Sequence, residues 1–418
     1  MKNANRLLFL CVFLSFVVKS IIILFFIHAP AKFEVHAIAH NMISGGEMKY
    51  NLNGQDNFNY QFPVYPFLLF CVYKVFGEGN FSALFMNLVF SSATALFAFS
   101  VFKWFLLQFD LKLKVISTER IALLSVVALL LHPLLIYYSI YIIHPFSLDL
   151  LFVFATLYFM IKYFDKQTKI NLFIYALCLG FAVLNRTTLT TLLLPFLLFH
   201  SENFAFKKKM KAAAFVLFIV TVPASLWLVR NYTIYKQFSL NSSMGQNLWI
   251  GALEETEGSA NLSNGKSYYA ALSEKELTGI MDLSPPQQST FFSDKYFQLL
   301  RQDPARVVKM FFVKLKNFWW FRTGIGKEYP DNVASYIPLY KIVYGLVFFL
   351  SLTGIFFIGK KTFSFVSFPL ALSLMQAVFY VETRHRAIVE PLLICLAITA
   401  CFLLFRKFFP LKEKTNGN

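Results

Sequence analysis

Residues 7–27, "LLFLCVFLSFVVKSIIILFFI", form an apolar run long enough to cross a lipid bilayer as one helix. Similar runs recur along the 418 residues, of which 57% are hydrophobic and only 15% are charged. A soluble protein would interrupt so many runs with water-facing polar positions. The sequence therefore predicts an all-α polytopic membrane protein.

The apolar runs predict about ten transmembrane helices. Their predicted bounds are 7–28, 81–102, 121–143, 146–164, 170–184, 188–200, 212–229, 338–358, 363–380 and 387–405. With these bounds, the basic clusters all fall on one side, as the positive-inside rule requires of cytoplasmic segments. These clusters are Lys2/Arg6, Lys103/Lys112/Lys114/Arg120, Lys162/Lys166/Lys169, Lys207–Lys211, Lys360/Lys361 and Arg406–Lys414. We therefore predict that both termini are cytoplasmic, and that the net charge of +17 reflects membrane topology and not nucleic-acid binding.

Three regions follow from this topology. They are an N-terminal transmembrane module with a first outer loop at about 30–80 (1–230), an extracytoplasmic loop region with an interfacial helix (231–336), and a C-terminal transmembrane module (337–418). Two segments refine the division. Lys19 lies inside the first span, where a charge is costly, so we expect it to face the bundle interior. The stretch 63–76 is apolar but interrupted by two prolines, which favours a helix lying at the outer surface.

The stretch "YVETRHRAIVEP", which begins at residue 380, places five ionisable side chains at the mouth of the last predicted span. Arg384 and Arg386 carry planar donor groups suited to phosphate oxygens, and His385 lies between them. Glu382 and Glu390 offer an alternative, because they would neutralise these arginines as structural ion pairs. A phosphate-binding cleft and ion-pair scaffolding are compatible with each other.

Other ionisable groups fall on the same predicted side, namely Arg186 in "LNRTT" and Arg230 in "WLVRNY". Taken singly, each is typical of a charge that reaches the membrane interface. Their common side favours an anionic ligand that meets the protein at the outer leaflet.

The first outer loop supplies candidate acids and metal ligands. Glu34, Glu47 and Asp56 are its carboxylates, and a general base that activates an acceptor needs one such group in a cleft. Glu47 is better interpreted as a solvated acid. His36 and His40 are four residues apart on a predicted helix, but without a third ligand they are a weak signal for a metal. No cofactor is firmly predicted, and a divalent metal is left open.

Four passages carry a family resemblance when taken in order. They are "EVHAIAHNMISGG" followed by "FPVYPFLLFCVYKVFGEGNFSALFMN", then "VPASLWLVRNYTIYKQFSLNSSMGQNLWIG", "DPARVVKMFFVKLKNFW" and "ETRHRAIVEPLLICLA". The order resembles the polytopic GT-C glycosyltransferases, specifically the bacterial branch similar to protein O-mannosyltransferases and to the aminoarabinose transferases of lipid A (glycosyltransferase family 39-like).

This resemblance implies transfer of a sugar from a polyprenyl-phosphate donor to an envelope acceptor, which would be a lipid, a glycan or a protein. It implies a location in a bacterial inner membrane with the site on the outer side, and a single displacement of the lipid phosphate predicts inversion at the anomeric carbon. By this resemblance Glu34 takes the place of the carboxylate that activates the acceptor, and Arg384 and Arg386 would hold the donor phosphate. We further predict Asp56 as a second catalytic carboxylate, His385 and Arg230 at the donor phosphate, and Tyr65 and Arg186 in the substrate cleft. The chain departs from the family at His385, where a tyrosine is usual, and at Phe62, where aminoarabinose transferases have a lysine.

A flippase or transporter of lipid-linked sugars is the alternative function, and a scaffold for other envelope enzymes is a third. A transporter is expected to contain internal repeats and paired broken helices near the membrane midplane. The sequence has no such repeat, and its ionisable residues gather at one face. The pattern therefore favours an enzyme.

Overall fold

The computed structural model of the protein describes residues 2–52, 54–109, 117–199, 206–322 and 335–408. Long apolar helices dominate the structure, and its strands are only two or three residues long. The predicted helical polytopic class is confirmed. Several predicted features lie outside the described residues, namely the basic side chains of Lys112, Lys114, Lys412 and Lys414 and the part 323–334 of the predicted loop region.

The helices are α1 (Lys2–Phe26), α2 (Glu34–Ile43), α3 (Val64–Phe76), α4 (Asn80–Gln108), α5 (Thr118–Leu130), α6 (Pro133–Ile140), α7 (Phe146–Lys166), α8 (Lys169–Asn185), α9 (Leu193–Leu198), α10 (Phe206–Tyr235), α11 (Met244–Ile250), α12 (Glu274–Met281), α13 (Pro285–Gln302), α14 (Pro304–Trp319), α15 (Ile337–Ile358), α16 (Phe363–Val378), α17 (Thr383–Ala387) and α18 (Glu390–Phe408). The strands are β1 (Ala31–Lys32), β2 (Tyr50–Leu52), β3 (Gln55–Asn57) and β4 (Ile142–Ile143). β2 and β3 form an antiparallel hairpin, and β1 pairs with β4 in parallel.

Six stretches of the described residues are long and apolar enough to span a membrane, and the pair α5 and α6 would make a seventh. That pair bends by 57° at Pro133, which cannot donate a backbone hydrogen bond. The predicted runs 170–184 and 188–200 form apolar helices of 17 residues or fewer, and the runs 338–358 and 363–380 belong to one stretch of 42 residues. The predicted number of about ten therefore exceeds the number of full-length spans.

The core of the bundle lies around α7, which has 72% of its apolar stretch buried, whereas α1 has only 22%. Phe102 on α4 and Phe154 on α7 pack edge to face in this core, with ring centroids 5.6 Å apart. Lys19 on α1 is 5% exposed, so the prediction that it faces the bundle interior is confirmed. Because α7 is central, its first turn lies among the other helix ends that meet the loops.

The first loop contains the predicted helix. α2 ends at Ile43, and the φ of +79° at Gly45 is a conformation that favours glycine, so the helix stops before the paired glycines Gly45 and Gly46. The stretch 63–76 is helical, as α3, and begins directly after Pro63. Its position at the outer surface of the membrane stays a prediction.

The second loop region packs onto the segment between α16 and α18. The backbone N–H of Val381 donates to the carbonyl of Gly258 at 2.8 Å, and Lys314 Nζ donates to the carbonyl of Val378 at 3.1 Å. Lys314 projects from α14, an amphipathic helix that buries Phe318 and exposes Phe312. The two loop regions meet at one end of the bundle, and we call this end the loop end. The predicted division into three regions and the interfacial position of α14 stay predictions.

Candidate functional site

Arg186 is fixed by a buried carboxylate at the loop end. It follows the last residue of α8, and its Nε lies 2.7 Å from Asp149 Oδ2. Asp149 sits in the first turn of α7 with no exposed surface, and its other oxygen accepts from Asn185 Nδ2 at 2.7 Å. The Arg186 side chain keeps 19% exposure. Both Nη atoms of Arg186 therefore remain available as donors, because no hydrogen bond from them is found among the described residues.

Arg384 has a parallel arrangement. Its Nε lies 2.8 Å from Glu382 Oε2, its Nη2 donates to the Tyr380 hydroxyl at 3.3 Å, and its side chain is also 19% exposed. No hydrogen bond from Arg384 Nη1 occurs within the described part of the chain. The structural ion pair between Glu382 and Arg384, one of the two alternatives for this stretch, is thus present. It occupies one edge of the guanidinium and leaves donors on the other.

Arg186 and Arg384 both exert electrostatic effects on His144 and on Asp149. Burial lowers the pKa of the His144 imidazole well below its usual value, and the charges of Arg384 and Arg186 lower it further. Asp149 interacts electrostatically with both guanidinium groups. We call Arg186, Arg384, Asp149 and Glu382 the arginine cleft. Its two cations and two carboxylates balance, so an anion would be held there mainly by directed N–H donors.

The Nδ1 atom of His385 is engaged within the protein and does not donate a proton toward the arginines. That atom accepts from the backbone N–H of Glu382 at 3.2 Å and lies 2.9 Å from Gln376 Nε2. Burial lowers the pKa of His385 well below its usual value, and Arg384 and Arg186 add to the effect. The ring is therefore neutral, and its contacts fix the start of α17.

Arg386 has a different environment from the one that its neighbour Arg384 occupies. It is 1% exposed, and its Nε, Nη1 and Nη2 donate to Glu390, to the carbonyl of Trp320 and to the Tyr340 hydroxyl, at 2.8, 3.2 and 2.7 Å. Its guanidinium carbon lies 3.6 Å from the ring centroid of Tyr344. These contacts occupy its donors within the protein, so its predicted role in binding phosphate has no free donor edge to support it.

Glu390 completes this second assembly, which we call the closed arginine box (Arg386, Glu390, Tyr340 and Tyr344, with His132). Its Oε1 accepts from the Tyr340 hydroxyl at 2.5 Å, and its Oε2 lies 3.0 Å from His132 Nε2. His132 stands at the bend between α5 and α6. The box therefore joins three helices by charged hydrogen bonds inside the bundle, which is a structural role.

Glu34 begins α2 and is half-buried. Its carboxylate raises the pKa values of Tyr50 and Tyr60, after the larger effect of burial, and Tyr380 raises that of Tyr60 as well. Glu34 therefore shares a neighbourhood with Tyr60, which in turn neighbours the tyrosine that contacts Arg384. Across the described residues, no hydrogen bond or ion pair engages the Glu34 carboxylate.

Asp56 differs from Glu34 because the protein neutralises it. Lys49 Nζ lies 2.5 Å from Asp56 Oδ2, and Asn51 Nδ2 donates to Oδ1 at 3.2 Å. These contacts lower the pKa of the Asp56 carboxyl, and the lysine contributes most. A carboxylate so stabilised in its charged form is a weak base. Asp56 stays a predicted catalytic residue, but its geometry favours a role in the β2–β3 hairpin.

Arg230 and Tyr65 are also engaged by the protein. Arg230 Nη1 donates to the carbonyl of Phe58 at 2.5 Å, and its Nη2 donates to that of Met48 at 3.2 Å. It thereby holds both ends of the hairpin segment on α10. Tyr65 has no exposed surface and donates to Asn87 Oδ1 at 2.9 Å. Its place in the core between α3 and α4 does not fit the predicted substrate cleft.

The histidine pair of the first loop meets an acid that the sequence did not indicate. His40 Nδ1 lies 2.8 Å from Glu78 Oε2, and His36 Nδ1 lies 2.6 Å from the Tyr73 hydroxyl. His36 Nε2 is 3.8 Å from the other Glu78 oxygen. Even so, no three acidic, histidine or cysteine side chains converge as a metal site in the described ranges.

Sequence reasoning missed Asp149, His144 and Tyr380. Asp149 carried a usable signal, since an acid within the apolar run "HPFSLDLLFVF" marks a functional position by default. His144 and Tyr380 carried none, because their proximity to the arginines depends on contacts between distant helices. Arg186 and Arg384, which the sequence did indicate, are brought into one cleft, whereas Arg386, Arg230 and Tyr65 lie apart from it.

Part of the chain matches a known protein family. Residues 61–227 match the family described as dolichyl-phosphate-mannose-protein mannosyltransferase. This stretch contains Asp149 and Arg186, and it excludes Glu34 and Arg384. No curated protein matches the chain.

Among solved structures, the chain is similar to the oligosaccharyltransferase of Archaeoglobus fulgidus, crystallised with a tethered acceptor peptide that contains the NVT sequon. The TM-score is 0.48 and the identity is 12%, over 95% of this chain and 50% of that one. This chain thus spans half the length of that protein.

The match over residues 61–227 covers the membrane helices that hold the first half of the arginine cleft. It agrees with the order of motifs along the sequence and with the polytopic helical fold, and it confirms the predicted resemblance. The protein is a helical multi-pass membrane protein that resembles, over residues 61–227, the family described as dolichyl-phosphate-mannose-protein mannosyltransferase.

Proposed function

We propose that the protein transfers a sugar from a polyprenyl-phosphate donor to an acceptor of the bacterial cell envelope, with inversion at the anomeric carbon. The observation that carries this proposal is the pair of half-open guanidinium groups of Arg186 and Arg384. An unengaged carboxylate, Glu34, is linked to Arg384 through the neighbouring side chains of Tyr60 and Tyr380. The basic clusters between the spans favour a loop end on the extracytoplasmic side of the inner membrane and cytoplasmic termini.

Arg186 and Arg384 hold the donor phosphate in this proposal. Asp149 and Glu382 each bind the Nε side of one arginine, which fixes the orientation of its Nη edge before the donor arrives. A guanidinium edge matches phosphate oxygens, and contacts shielded from water are stronger than those at an open surface. His385 and Arg386 support this edge from behind by fixing α17, and Arg230 supports the first loop.

Glu34 is the general base. It accepts the proton of the acceptor hydroxyl or amine while that atom forms a bond to the anomeric carbon. The bond from the anomeric carbon to the phosphate oxygen breaks at the same time, and its electron pair leaves with the lipid phosphate. The arginines stabilise the charge that develops on this leaving group, so one displacement with inversion needs no further cofactor from the protein.

Transfer from labelled donors tests the proposal. The full chain, reconstituted in lipid, is given a panel of radiolabelled polyprenyl-phosphate sugars together with extracts of bacterial envelope. We expect label in an acceptor with wild type and with Glu47→Gln, an exposed acid of the same loop, and its loss with Glu34→Gln. Transfer that survives Glu34→Gln refutes the base, and lipid movement across the vesicle without transfer identifies a transporter.

A further inference from the structure

The segment between α16 and α17 carries the two side chains that orient Arg384. The Tyr380 hydroxyl accepts from Arg384 Nη2, and the Glu382 carboxylate holds the Nε side of the same guanidinium. Both residues stand within or directly after residues 378–381, which link the two helices and which we call the arginine linker. The position of the arginine linker therefore sets the direction of the Arg384 guanidinium.

Lys314 of α14 binds the start of the arginine linker from the second loop region. Its Nζ donates to the carbonyl oxygen of Val378 at 3.1 Å, and the residue is only 3% exposed. Val378 is the last residue of α16, and the final carbonyl groups of a helix have no partner within the helix. The lysine therefore satisfies one of these groups and fixes the point at which the arginine linker begins.

A short loop of the second loop region contacts the backbone of the arginine linker directly. A Cβ atom at Gly251 would lie 2.2 Å from the carbonyl oxygen of Phe379 and 3.0 Å from Lys314 Nζ, so only glycine fits here without a shift. The carbonyl oxygen of Gly258 accepts from the backbone N–H of Val381 at 2.8 Å. The loop thus holds the arginine linker at both its second and its last residue.

This loop is itself held in place by α14 and by its own hydrogen bonds. Asn317 of α14 donates through Nδ2 to the carbonyl oxygen of Glu257 at 2.8 Å. Thr256 has no exposed surface, and its hydroxyl donates to the carbonyl oxygen of Leu253 at 2.7 Å and accepts from the backbone N–H of Gly258 at 3.1 Å. The loop, α14 and the arginine linker therefore form one hydrogen-bonded unit.

A lysine is a costly residue at position 314. Burial lowers the pKa of its ammonium group to about 7, because the charged form loses its hydration there. Among the described residues, the bond to Val378 is the one hydrogen bond found for this Nζ. A methionine would fill a similar volume without a buried charge. The stability of the fold alone therefore gives no reason for a lysine at this position.

We propose that Lys314 and Gly251 are positioning residues, which hold the arginine linker so that Arg384 presents its Nη1 atom to the phosphate of the sugar donor. The inference rests on the proposed function, in which Arg384 binds that phosphate. Both residues act through the backbone of the arginine linker and make no contact with the ligand themselves. A misplacement of about 1 Å at a reacting site can cost about 10²-fold in rate, so a small shift of the arginine linker has a large effect.

Binding of undecaprenyl phosphate to the full chain in lipid nanodiscs tests the inference, together with melting temperatures. Lys314→Met and Gly251→Ala are expected to raise the Kd about tenfold each. Lys314→Met is expected to keep or raise the melting temperature, because it removes a buried cation, whereas the loss of a purely structural lysine would lower it. Lys316→Met makes the same change at an exposed position of α14 and is expected to alter neither quantity.

A double-mutant cycle separates positioning from a general loss of structure. In the Arg384→Ala background, Lys314→Met is expected to cause no further rise in the Kd, since the lysine acts through that arginine. Hydrogen exchange at the Val381 amide reports on the arginine linker without any ligand. We expect this exchange to be faster in Lys314→Met and in Gly251→Ala than in wild type.

The outcomes separate the inference from the function that it deepens. An unchanged Kd in both single variants, additive effects of Lys314→Met and Arg384→Ala, or weaker binding that accompanies a lower melting temperature in both single variants overturns the positioning role and leaves the transferase. The expected coupling without sugar transfer from any labelled donor refutes the transferase and leaves the positioning role. A wild-type protein that does not bind undecaprenyl phosphate refutes the polyprenyl-phosphate donor and this inference with it.

Discussion

Two arginines, Arg384 and Arg386, stand two residues apart on one short helix and have opposite surroundings. Arg384 keeps 19% exposure and a free Nη1 within the described structure, whereas Arg386 is 1% exposed and directs each of its three nitrogens to a protein oxygen. One guanidinium is available to a ligand, and the other is a structural part of the bundle. An Arg-x-Arg pattern therefore contains two kinds of arginine, and only the contacts of α17 with its neighbours distinguish them.

The largest effect is expected from a variant that disrupts the closed arginine box. Arg386→Ala leaves Glu390 buried without its arginine, which we expect to lower the free energy of unfolding by about 3 to 5 kcal/mol. Thermal unfolding in detergent measures this change.

The double variant Arg386→Met with Glu390→Leu is the control, because it replaces both charges by apolar groups and is expected to recover most of the stability. A stable Arg386→Ala protein would contradict the structural role of the box.

The next effect concerns the open arginine. Arg384→Ala is expected to lower kcat for transfer about 10² to 10³-fold, because it removes donors that stabilise the leaving phosphate. The midpoint of thermal unfolding is expected to change little, since Glu382 is partly exposed and finds water. Transfer kinetics from a labelled donor measure the first change, and the same melting assay measures the second.

If Arg384→Ala unfolds the protein and Arg386→Ala in contrast loses only transfer, the assignment of open and closed arginines is reversed. Arg384→Lys is an informative control, since it keeps the charge and removes the planar edge. We expect it to recover only part of the rate.

A smaller effect comes from His385, which lies between the two arginines. Its pKa is lowered in the folded protein, so the unfolded chain binds a proton there as the pH falls below about 6.5 while the folded protein does not. Stability from this group is thus complete above pH 6.5 and is lost on acidification, by at most about 1.4 kcal/mol per pH unit.

Melting temperatures between pH 7.5 and 5 test this sign. His385→Gln supplies an amide oxygen to accept from Glu382 and does not titrate, so its melting temperature is expected to fall less steeply with acidification. An identical slope in both proteins would show that His385 is not the titrating group, and His144→Gln then becomes the next variant to measure.

The smallest expected effect comes from comparing two carboxylates, Asp56 and Glu34, in the way that the two arginines were compared. The Asp56 carboxylate forms an ion pair with Lys49, whereas no described residue pairs with the carboxylate of Glu34. Asp56→Asn is therefore expected to leave the transfer rate within about threefold of wild type and the stability almost unchanged. Transfer rates of Asp56→Asn and Glu34→Gln, measured side by side, check this. Loss of activity in Asp56→Asn alone would make Asp56 the base.

The sequence was sufficient for the fold class and for part of the candidate site. Apolar runs predict membrane helices directly, and an acid or arginine at the end of such a run is visible without a structure. Glu34, Arg186 and Arg384 were identified in this way. Among the described residues, fewer stretches than predicted are of full spanning length, because α8 and α9 are apolar but short and because two predicted runs belong to one stretch of 42 residues.

The rest of the site depends on contacts between residues far apart in the chain. The partner of Arg186 is Asp149, on another helix, and the environment of Arg386 is set by Trp320, Tyr340 and Tyr344. Hydropathy and the local spacing of residues give no information about such long-range contacts. This is why Arg386 and Tyr65 were placed with the ligand and are found in the packed interior.

The anchor of the first loop has a practical consequence for engineering. Arg230 binds the carbonyl oxygens of Phe58 and Met48, which every amino acid possesses, and not their side chains. The segment between these two positions can therefore be exchanged for that of a relative while its attachment to α10 is preserved. Chimeras that swap residues 49–57 therefore offer a modular way to measure which properties of the protein depend on the hairpin while its anchor stays in place.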